Sequence, residues 1–166
     1  MAAYQHILFA ADLAEDADQV GRRAVDLARR TAARLSLIHV VEHLGPAGSN
    51  ELAPPAMPLQ LGGAAPAIPP KGTDDDVVQN ARQFLDRLAE RLGVVDSQRW
   101  VVASHFTKRE IHRVAKEQDV DLIVVGSHGR HGLALLLGST ADAVLHGAPC
   151  DVLAVRVART ESLPAR

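Results

Sequence analysis

The sequence predicts an α/β fold: an open, doubly wound sheet of five parallel strands with helices on both of its faces. Five short apolar runs lack the polar alternation of a half-exposed strand, which is typical of strands that are buried on both faces. The segments between these runs repeat apolar residues every three or four positions, as helices do when one side packs on a sheet. With 166 residues, 47% of them hydrophobic, one domain can build a core.

The first three predicted elements are a strand, a helix and a strand. The first strand covers 6–10 and ends shortly before Asp12. The helix begins among acidic residues and ends at Arg29 and Arg30, which is the charge order that the helix dipole favours. A second apolar strand follows at 35–41. The apolar face of the helix consists of Val20, Ala24, Leu27 and Ala28.

Residues 45–72 interrupt this pattern. They contain seven of the nine prolines and five of the twelve glycines, and they have neither a helical nor a strand period. This composition predicts a long loop, which is either functional or disordered. We therefore place a single domain at 1–157 with this segment as an insertion, followed by a flexible tail at 158–166.

Regular structure resumes with a helix, a strand and a second helix. Thr73 is a good N-cap for the first of these helices, and 99–103 is the third strand. Thr107 and Glu110 have the spacing of a capping box and predict where the second helix begins. The apolar faces are Val77, Val78, Ala81, Phe84, Leu85, Leu88 and Leu92 in the first helix, and Ile111, Val114 and Ala115 in the second.

The fourth strand, 121–125, ends in a glycine-rich loop with the sequence Gly126-Ser127-His128-Gly129-Arg130-His131-Gly132. A short helix opens near Ser139, and a fifth strand begins at Val152 and ends at Val157. Glycines in such a loop let backbone N–H groups approach an anion closely, which favours a phosphate-bearing ligand. The alternative is that these glycines serve only the geometry of the turn.

The expected winding of the sheet brings two distant segments together. The chain starts near the centre, adds strands 2 and 3 on one side and strands 4 and 5 on the other, so that strands 1 and 4 are neighbours. Ligands bind at this switch point, outside the carboxyl ends of the strands. Asp12 and the loop that begins at Gly126 can therefore share one cleft. Asp12 could equally be a solvated residue or help to open the first helix.

Charge and composition exclude several functions. The net charge is −2, the pI is about 6.4 and 3% of the residues are aromatic, so we expect no nucleic-acid partner. No stretch approaches the roughly 18 apolar residues of a membrane span, and we expect a cytoplasmic protein. Cys150 is the only cysteine, which rules out an internal disulfide and predicts a small packing residue. His39, inside an apolar strand, is expected to be a hydrogen-bonded core histidine.

Four segments resemble the signature segments of the universal stress protein family. They are 7–12, 38–41, 121–126 and 148–156, and the similarity covers the chain except for the proline-rich insertion and the tail. The resemblance implies a Rossmann-like fold with the sheet order 3-2-1-4-5, a role in the stress response and usually a homodimer.

Members of that family that bind ATP carry a glycine, two residues, a glycine, nine residues, a glycine and then serine or threonine. The resemblance carries this motif onto the loop after the fourth strand. The cofactor-binding residues that it implies are Gly126, Gly129, Gly138, Ser139 and Thr140 around the phosphates, Ser127 in the loop, and Asp12 and the backbone around Val40 near the adenosine.

This chain departs from the family pattern at one point, because eight residues rather than nine separate Gly129 from Gly138. One residue spans about 3.8 Å between Cα atoms, so a rigidly propagated deletion would pull Gly138 and Ser139 off the phosphates. A tighter turn at Gly132 or in the 133–137 run would keep the site.

The charge of ATP needs cationic partners, and the chain has no Gly-Lys-Ser/Thr of a P-loop to supply them. We expect the counter-charge to come from Arg130, His128 or His131, from bound Mg²⁺ and from the N–H groups that open the helix at Ser139. Arg130 could equally be a solvated loop arginine. His128 and His131 lack a third ligand at a recognisable spacing, so we expect no metal centre built by the protein alone.

The first functional hypothesis is a stress-response regulator that binds ATP with Mg²⁺ and acts as a dimeric switch. The second is a nucleotide-free homodimeric interaction protein of the same family, in which the glycine loop is only structural. No catalytic constellation is visible, so we expect at most weak ATP hydrolysis or self-phosphorylation. The apolar edge of strand 5, from Val152 to Val157, predicts the dimer contact; the alternative is that the tail or the long loop covers this edge. The 45–72 insertion could touch either the cleft or an unknown protein client.

Overall fold

Strands and helices alternate along the chain as the sequence predicts. The computed structural model describes residues 4–13, 16–42, 74–127 and 139–156, and within these ranges it contains five strands and four helices. The predicted insertion, the Thr73 cap and the tail lie outside the described residues. The elements are β1 His6–Ala10, α1 Ala17–Thr31, β2 Arg34–Glu42, α2 Asp74–Leu92, β3 Gln98–Ser104, α3 Thr107–Glu117, β4 Leu122–Gly126, α4 Ser139–Leu145 and β5 Asp151–Val155.

The five strands are all parallel and lie in the order β3-β2-β1-β4-β5, which confirms the predicted doubly wound sheet. Successive residues of β1 point to opposite faces of the sheet. Ile7 and Phe9 belong to the core under α1 and α2, whereas Leu8 belongs to the core under α3 and α4. The helices therefore cover both faces, and β1 is apolar from Ile7 to Ala10 because neither of its faces meets water.

The predicted capping box at the start of α3 is wrong. The helix includes Thr107 as its first residue, and Phe106 occupies the N-cap position without a side-chain cap. The Thr107 hydroxyl donates instead to Glu42 at 3.4 Å, and Glu110 pairs with Arg113 at 2.8 Å. Both side chains of the motif have partners outside the cap, because β2 ends beside Thr107 and an arginine lies one helical turn after Glu110.

The last strand differs from its predicted bounds of 152–157. It starts one residue earlier, at Asp151, and ends at Val155, whereas Val157 lies outside the described residues. Val155 pairs with Gly126, the last residue of β4, so the ladder ends where its partner strand ends. β5 is nevertheless an edge strand, as expected.

The amino ends of the strands form one edge of the sheet, the amino edge, where a buried histidine joins several elements. His6 is 2% exposed, and its Nε2 lies 2.8 Å from the hydroxyl of Ser36 on β2. Its Nδ1 lies 2.8 Å from Arg34 Nη2 and 2.9 Å from the Gln118 carbonyl that follows α3. Both ring nitrogens of His6 are thus engaged with neighbouring segments.

Two carboxylates strengthen the same edge. Asp121, just before β4, accepts hydrogen bonds from the backbone N–H groups of Gln5 and His6 at 2.8 and 3.1 Å. Asp151, at the start of β5, accepts one from the Tyr4 hydroxyl at 3.1 Å. Carboxylates where β4 and β5 begin therefore bind the segment from Tyr4 to His6, at which β1 begins.

Cys150 lies beside this edge as a half-buried residue that packs against the core under α3 and α4. Burial, with smaller contributions from Asp121 and Asp151, raises the pKa of its thiol to about 11. This agrees with the prediction of a packing residue rather than a reactive thiol. None of the described helices combines the length and the apolarity that crossing a bilayer requires.

Candidate functional site

The carboxyl ends of β1, β2 and β4 meet at the opposite edge of the sheet, the carboxyl edge. Ala10, at the end of β1, pairs with Ile38 on one side and with Val125 on the other. Extending this register by two residues along each strand brings three predicted site residues to one level of the sheet. These residues are Asp12, Val40 and Ser127.

Val40 directs its backbone polar groups into the space beyond the end of β1. Alternate residues of a strand direct their N–H and C=O to the same neighbour. The Ile38 carbonyl accepts a hydrogen bond from the Ala11 N–H at 2.9 Å, so Val40 also faces the β1 side. Among the described residues no backbone hydrogen bond continues the ladder from Val40 to Ala11. A donor and an acceptor of Val40 therefore lie side by side at the carboxyl edge.

His39 reaches the peptide that leads into Asp12. The histidine is 9% exposed, and its Nδ1 lies 2.7 Å from the Ala11 carbonyl oxygen. A carbonyl can only accept, so Nδ1 carries the hydrogen. The prediction that His39 is a hydrogen-bonded core histidine is confirmed. Sequence reasoning missed the identity of its partner, although a polar residue in an otherwise apolar strand was a signal that could have drawn attention to it.

Asp12 follows β1 as an exposed residue and takes no part in the cap of α1. The helix starts at Ala17, and Asp16 occupies its N-cap position without a side-chain cap. The alternative in which Asp12 opens the first helix is therefore wrong. Asp12 lies two residues beyond the end of β1, and the register of β1 with β2, continued by two residues, places it opposite Val40.

Ser127 has a backbone N–H that is already used by the protein. It donates to the Val155 carbonyl at 2.9 Å and so extends the contact between β4 and β5 by one residue. A ligand at this edge would meet the Ser127 side chain or the residues after it rather than this N–H. The Ser127 N–H is thus excluded from the ligand-binding role that the sequence predicted for this residue.

Charges of both signs line the carboxyl edge. Glu42 ends β2 as an exposed carboxylate that accepts from Thr107, as described above. Lys108 and Arg109 lie exposed in the first turn of α3, which begins three residues after the end of β3. The described part of the edge therefore offers Asp12 and Glu42 to a cation and two flexible cations to an anion.

The predicted phosphate-binding loop lies largely outside the described residues. Gly129, Arg130 and Gly138 belong to that part of the chain, and so does the eight-residue spacing. Gly126 ends β4, and Ser139 opens α4 with Thr140 as its exposed second residue. α4 connects β4 to β5, so its first turn starts from the side of the sheet where β4 ends.

Metal ligation by the protein alone has no support in the described part of the chain. No group of three His, Cys, Asp or Glu side chains there could hold a metal ion. His128 and His131, considered as ligands from the sequence, lie outside the described residues.

Comparison with known proteins supports the arrangement of these elements. The sequence profile of the universal stress protein family matches residues 3–156. The chain belongs to this family. Universal stress protein A homolog 2 of Coxiella burnetii is 39% identical over 155 residues, which are 93% of this chain and 96% of that protein.

Solved structures share the fold. The structure of a universal stress protein in complex with cAMP has a TM-score of 0.64 at 19% identity, and the match covers 93% of this chain and 98% of that one. The universal stress protein of Archaeoglobus fulgidus in complex with dAMP has a TM-score of 0.59 at 19% identity, with 92% and 98% covered. The Rossmann-like sheet is therefore that of the family.

Proposed function

We propose that this universal stress protein binds an adenine nucleotide at the carboxyl edge of its sheet and acts as a nucleotide-responsive regulator in the stress response. The observation that carries the proposal is the pairing of Ala10 with Ile38 and Val125, which when continued by two residues puts Asp12, Val40 and Ser127 at one level, with the Val40 N–H and C=O directed past the end of β1. This is the switch point of the sheet, where ligands of such folds bind.

The polar groups of Val40 suit an adenine base. Adenine carries an exocyclic amino donor next to a ring-nitrogen acceptor, and Val40 offers an acceptor and a donor at the spacing of one residue. A few fixed backbone groups of this kind orient a ligand in an otherwise apolar site. The Val40 side chain is 8% exposed and belongs to the core under α3 and α4, so the strand that carries these groups is held by packing.

The phosphates and Mg²⁺ would occupy the side of the site nearer β4 and α4. Gly126, Ser139 and Thr140, with Gly129, Arg130 and Gly138, are the residues that we propose for the phosphates. Asp12 supplies the oxygen ligand that Mg²⁺ prefers, and the metal would neutralise phosphate charge. The family relatives solved with cAMP and with dAMP support an adenine nucleotide as the ligand class.

The regulator would act as a homodimer formed through β5. This strand is at the edge of the sheet, and Leu153 on β5 and Leu145 at the end of α4 are 38% and 50% exposed. An edge strand with exposed apolar side chains favours pairing with a second copy. Leu153→Asp should yield a monomer by light scattering, whereas Val95→Asp, at a 55% exposed residue between α2 and β3, should leave the dimer intact.

A nucleotide-free interaction protein is the second candidate, and two observations favour it. Ser127 has its N–H engaged by Val155, and the chain is one residue short between Gly129 and Gly138. In this alternative the glycine loop would close on itself, and the dimer surface would be the functional part.

One experiment separates the two candidates. The purified protein is denatured, and the released small molecules are chromatographed for adenine compounds; the apo protein is then titrated by calorimetry with Mg-ATP, ATP plus chelator, cAMP and GTP. Adenine binding predicts heat with Mg-ATP and cAMP but not with GTP, and weaker ATP binding with chelator. No released adenine compound and no heat at millimolar ligand would leave the nucleotide-free protein as the function.

A further inference from the structure

The end of the β1–β2 ladder has a feature that regular sheet geometry does not predict. In a parallel pair, every second residue of a strand faces the neighbouring strand, where it donates to the residue before its partner and accepts from the residue after it. Ile38 follows this rule, because its carbonyl accepts from Ala11, the residue after its partner Ala10. The next residue of β2 that faces β1 is Val40, and its N–H would donate to the Ala11 carbonyl if the ladder continued.

The Ala11 carbonyl instead accepts a side-chain hydrogen bond. His39 Nδ1 lies 2.7 Å from this oxygen, within the range of a strong bond. Both partners are shielded from solvent, since Ala11 is 6% and His39 is 9% exposed. A buried carbonyl needs a donor, and the imidazole supplies it from the same strand whose backbone would otherwise do so.

We propose that His39 is a positioning residue that ends the β1–β2 ladder. By taking the Ala11 carbonyl it holds the peptide between Ala11 and Asp12 in one orientation and leaves the Val40 N–H to the ligand. The role in binding rests on the proposed adenine site, whereas the role in ending the ladder depends only on the geometry of β1 and β2.

Loss of the imidazole donor should let the ladder grow by one bond. Without it, the buried Ala11 carbonyl would draw the Val40 N–H as its replacement donor, because an unpaired buried carbonyl is costly. The ligand would then compete with the protein for the Val40 N–H. His39 would thus influence affinity without touching the nucleotide.

The test compares variants of His39 that differ in where they carry a donor. His39→Asn places an amide nitrogen at the position of Nδ1, His39→Gln places it one bond further out, and His39→Leu has none. For His39→Asn we expect a Mg-ATP affinity within about twofold of that of wild type. For His39→Gln and His39→Leu we expect an affinity about tenfold weaker, because a tenfold change corresponds to the loss of about one hydrogen bond. Chemical denaturation of each variant reports its stability separately.

Amide hydrogen exchange in the apo protein gives a second measurement that needs no nucleotide. In wild type and His39→Asn, the Val40 amide should exchange faster than the Ile38 amide, which belongs to the ladder. In His39→Leu the Val40 amide should slow by about tenfold or more, because it gains the Ala11 carbonyl. If His39→Leu does not fold, the same comparison between His39→Gln and His39→Asn decides.

The outcomes distinguish the two parts of the proposal, which are the end of the β1–β2 ladder at His39 and its effect on nucleotide binding. Slowed Val40 exchange in His39→Leu with no nucleotide binding by the wild type would support the end of the ladder and overturn the proposed ligand. Unchanged Val40 exchange would overturn the positioning role, and so would nucleotide binding by a folded His39→Leu protein as tight as that of wild type.

Discussion

The two edges of the sheet each contain a buried histidine that connects β1 with β2, and the two histidines do different things. At the amino edge, both ring nitrogens of His6 contact side chains or carbonyls of β2 and of the segment after α3. At the carboxyl edge, His39 bonds the Ala11 carbonyl and the backbone of Val40 stays outside the ladder. Side chains of the protein bond one another at the first edge, whereas at the second the backbone of Val40 faces the site that we propose for the nucleotide.

This contrast indicates how one parallel sheet combines stability with binding. Hydrogen bonds at the amino edge join β1 to β2, β4 and β5, which holds the strands in register. The carboxyl edge inherits that register and therefore needs few contacts of its own to keep Asp12, Val40 and Ser127 level. Mutations at the two edges should accordingly affect different properties.

The largest expected effect is the loss of the His6 contacts. His6→Leu should lower the free energy of unfolding by about 2–4 kcal/mol, because it leaves the fully buried Ser36 hydroxyl without its His6 partner and the Gln118 carbonyl with only the 3.4 Å contact from Arg34. Denaturation by urea measures this free energy of unfolding. The matched control, His146→Leu at a 70% exposed side chain, should change the free energy by about 0.5 kcal/mol or less. Equal losses in the two variants would contradict the assignment of His6.

A pair of aspartates tests the comparison most directly. Asp121→Ala should lower the free energy of unfolding by about 1–3 kcal/mol, since it removes the acceptor of two backbone N–H groups at the start of β1, and should leave Mg-ATP affinity unchanged. Asp12→Ala should do the reverse, with stability within about 0.5 kcal/mol of wild type and affinity weaker by about tenfold or more. Parallel urea and calorimetric titrations check both variants. A loss of stability in Asp12→Ala would contradict the separation of stabilising residues at the amino edge from binding residues at the carboxyl edge.

The pH dependence of stability should come in part from the amino edge. Burial lowers the pKa of His6; the Gln118 carbonyl, Asp121 and Asp119 oppose this shift, and Arg34 reinforces it. The unfolded state then binds the proton more readily than the folded state, so this contribution is complete above about pH 6.5 and is lost as the pH falls through the folded pKa. Urea titrations between pH 5 and 8 should show it, with a smaller slope in Arg34→Gln. A His6 resonance that titrates at or above the ordinary histidine pKa would contradict this.

The smallest effect is expected at the exposed rim of the amino edge. The hydrogen bond to Asp151, followed by burial and the charges of Asp151 and Asp121, raises the pKa of the Tyr4 phenol. Spectrophotometric titration of this single tyrosine should show that pKa fall towards its ordinary value in Asp151→Asn. Stability should barely change, because solvent competes for an exposed bond. An unchanged phenol pKa in the variant would show that the bond does not persist in solution.

Local sequence signals failed where tertiary partners compete for the same side chains. Thr107 and Glu110 match a capping box by spacing, yet Glu42 and Arg113 take their polar groups. The observed end of β5 differs from the predicted one for a similar reason. A strand ends where its neighbour stops pairing with it, and Val155 pairs with Gly126, the last residue of β4. Spacing along the chain does not contain this information.

The sequence by itself determined the order and type of the elements, and it predicted the edge of the sheet at which we propose the site. Short, continuous apolar runs that alternate with helical segments are typical of strands buried on both faces, and crossovers of one handedness leave few ways to wind them. Only the tertiary structure decided which residues stand level across the strands and which carbonyl His39 meets. A shift of one residue in register leaves the composition and pattern of each strand unchanged, so the alignment that gives Val40 its open N–H exists only once the strands have packed.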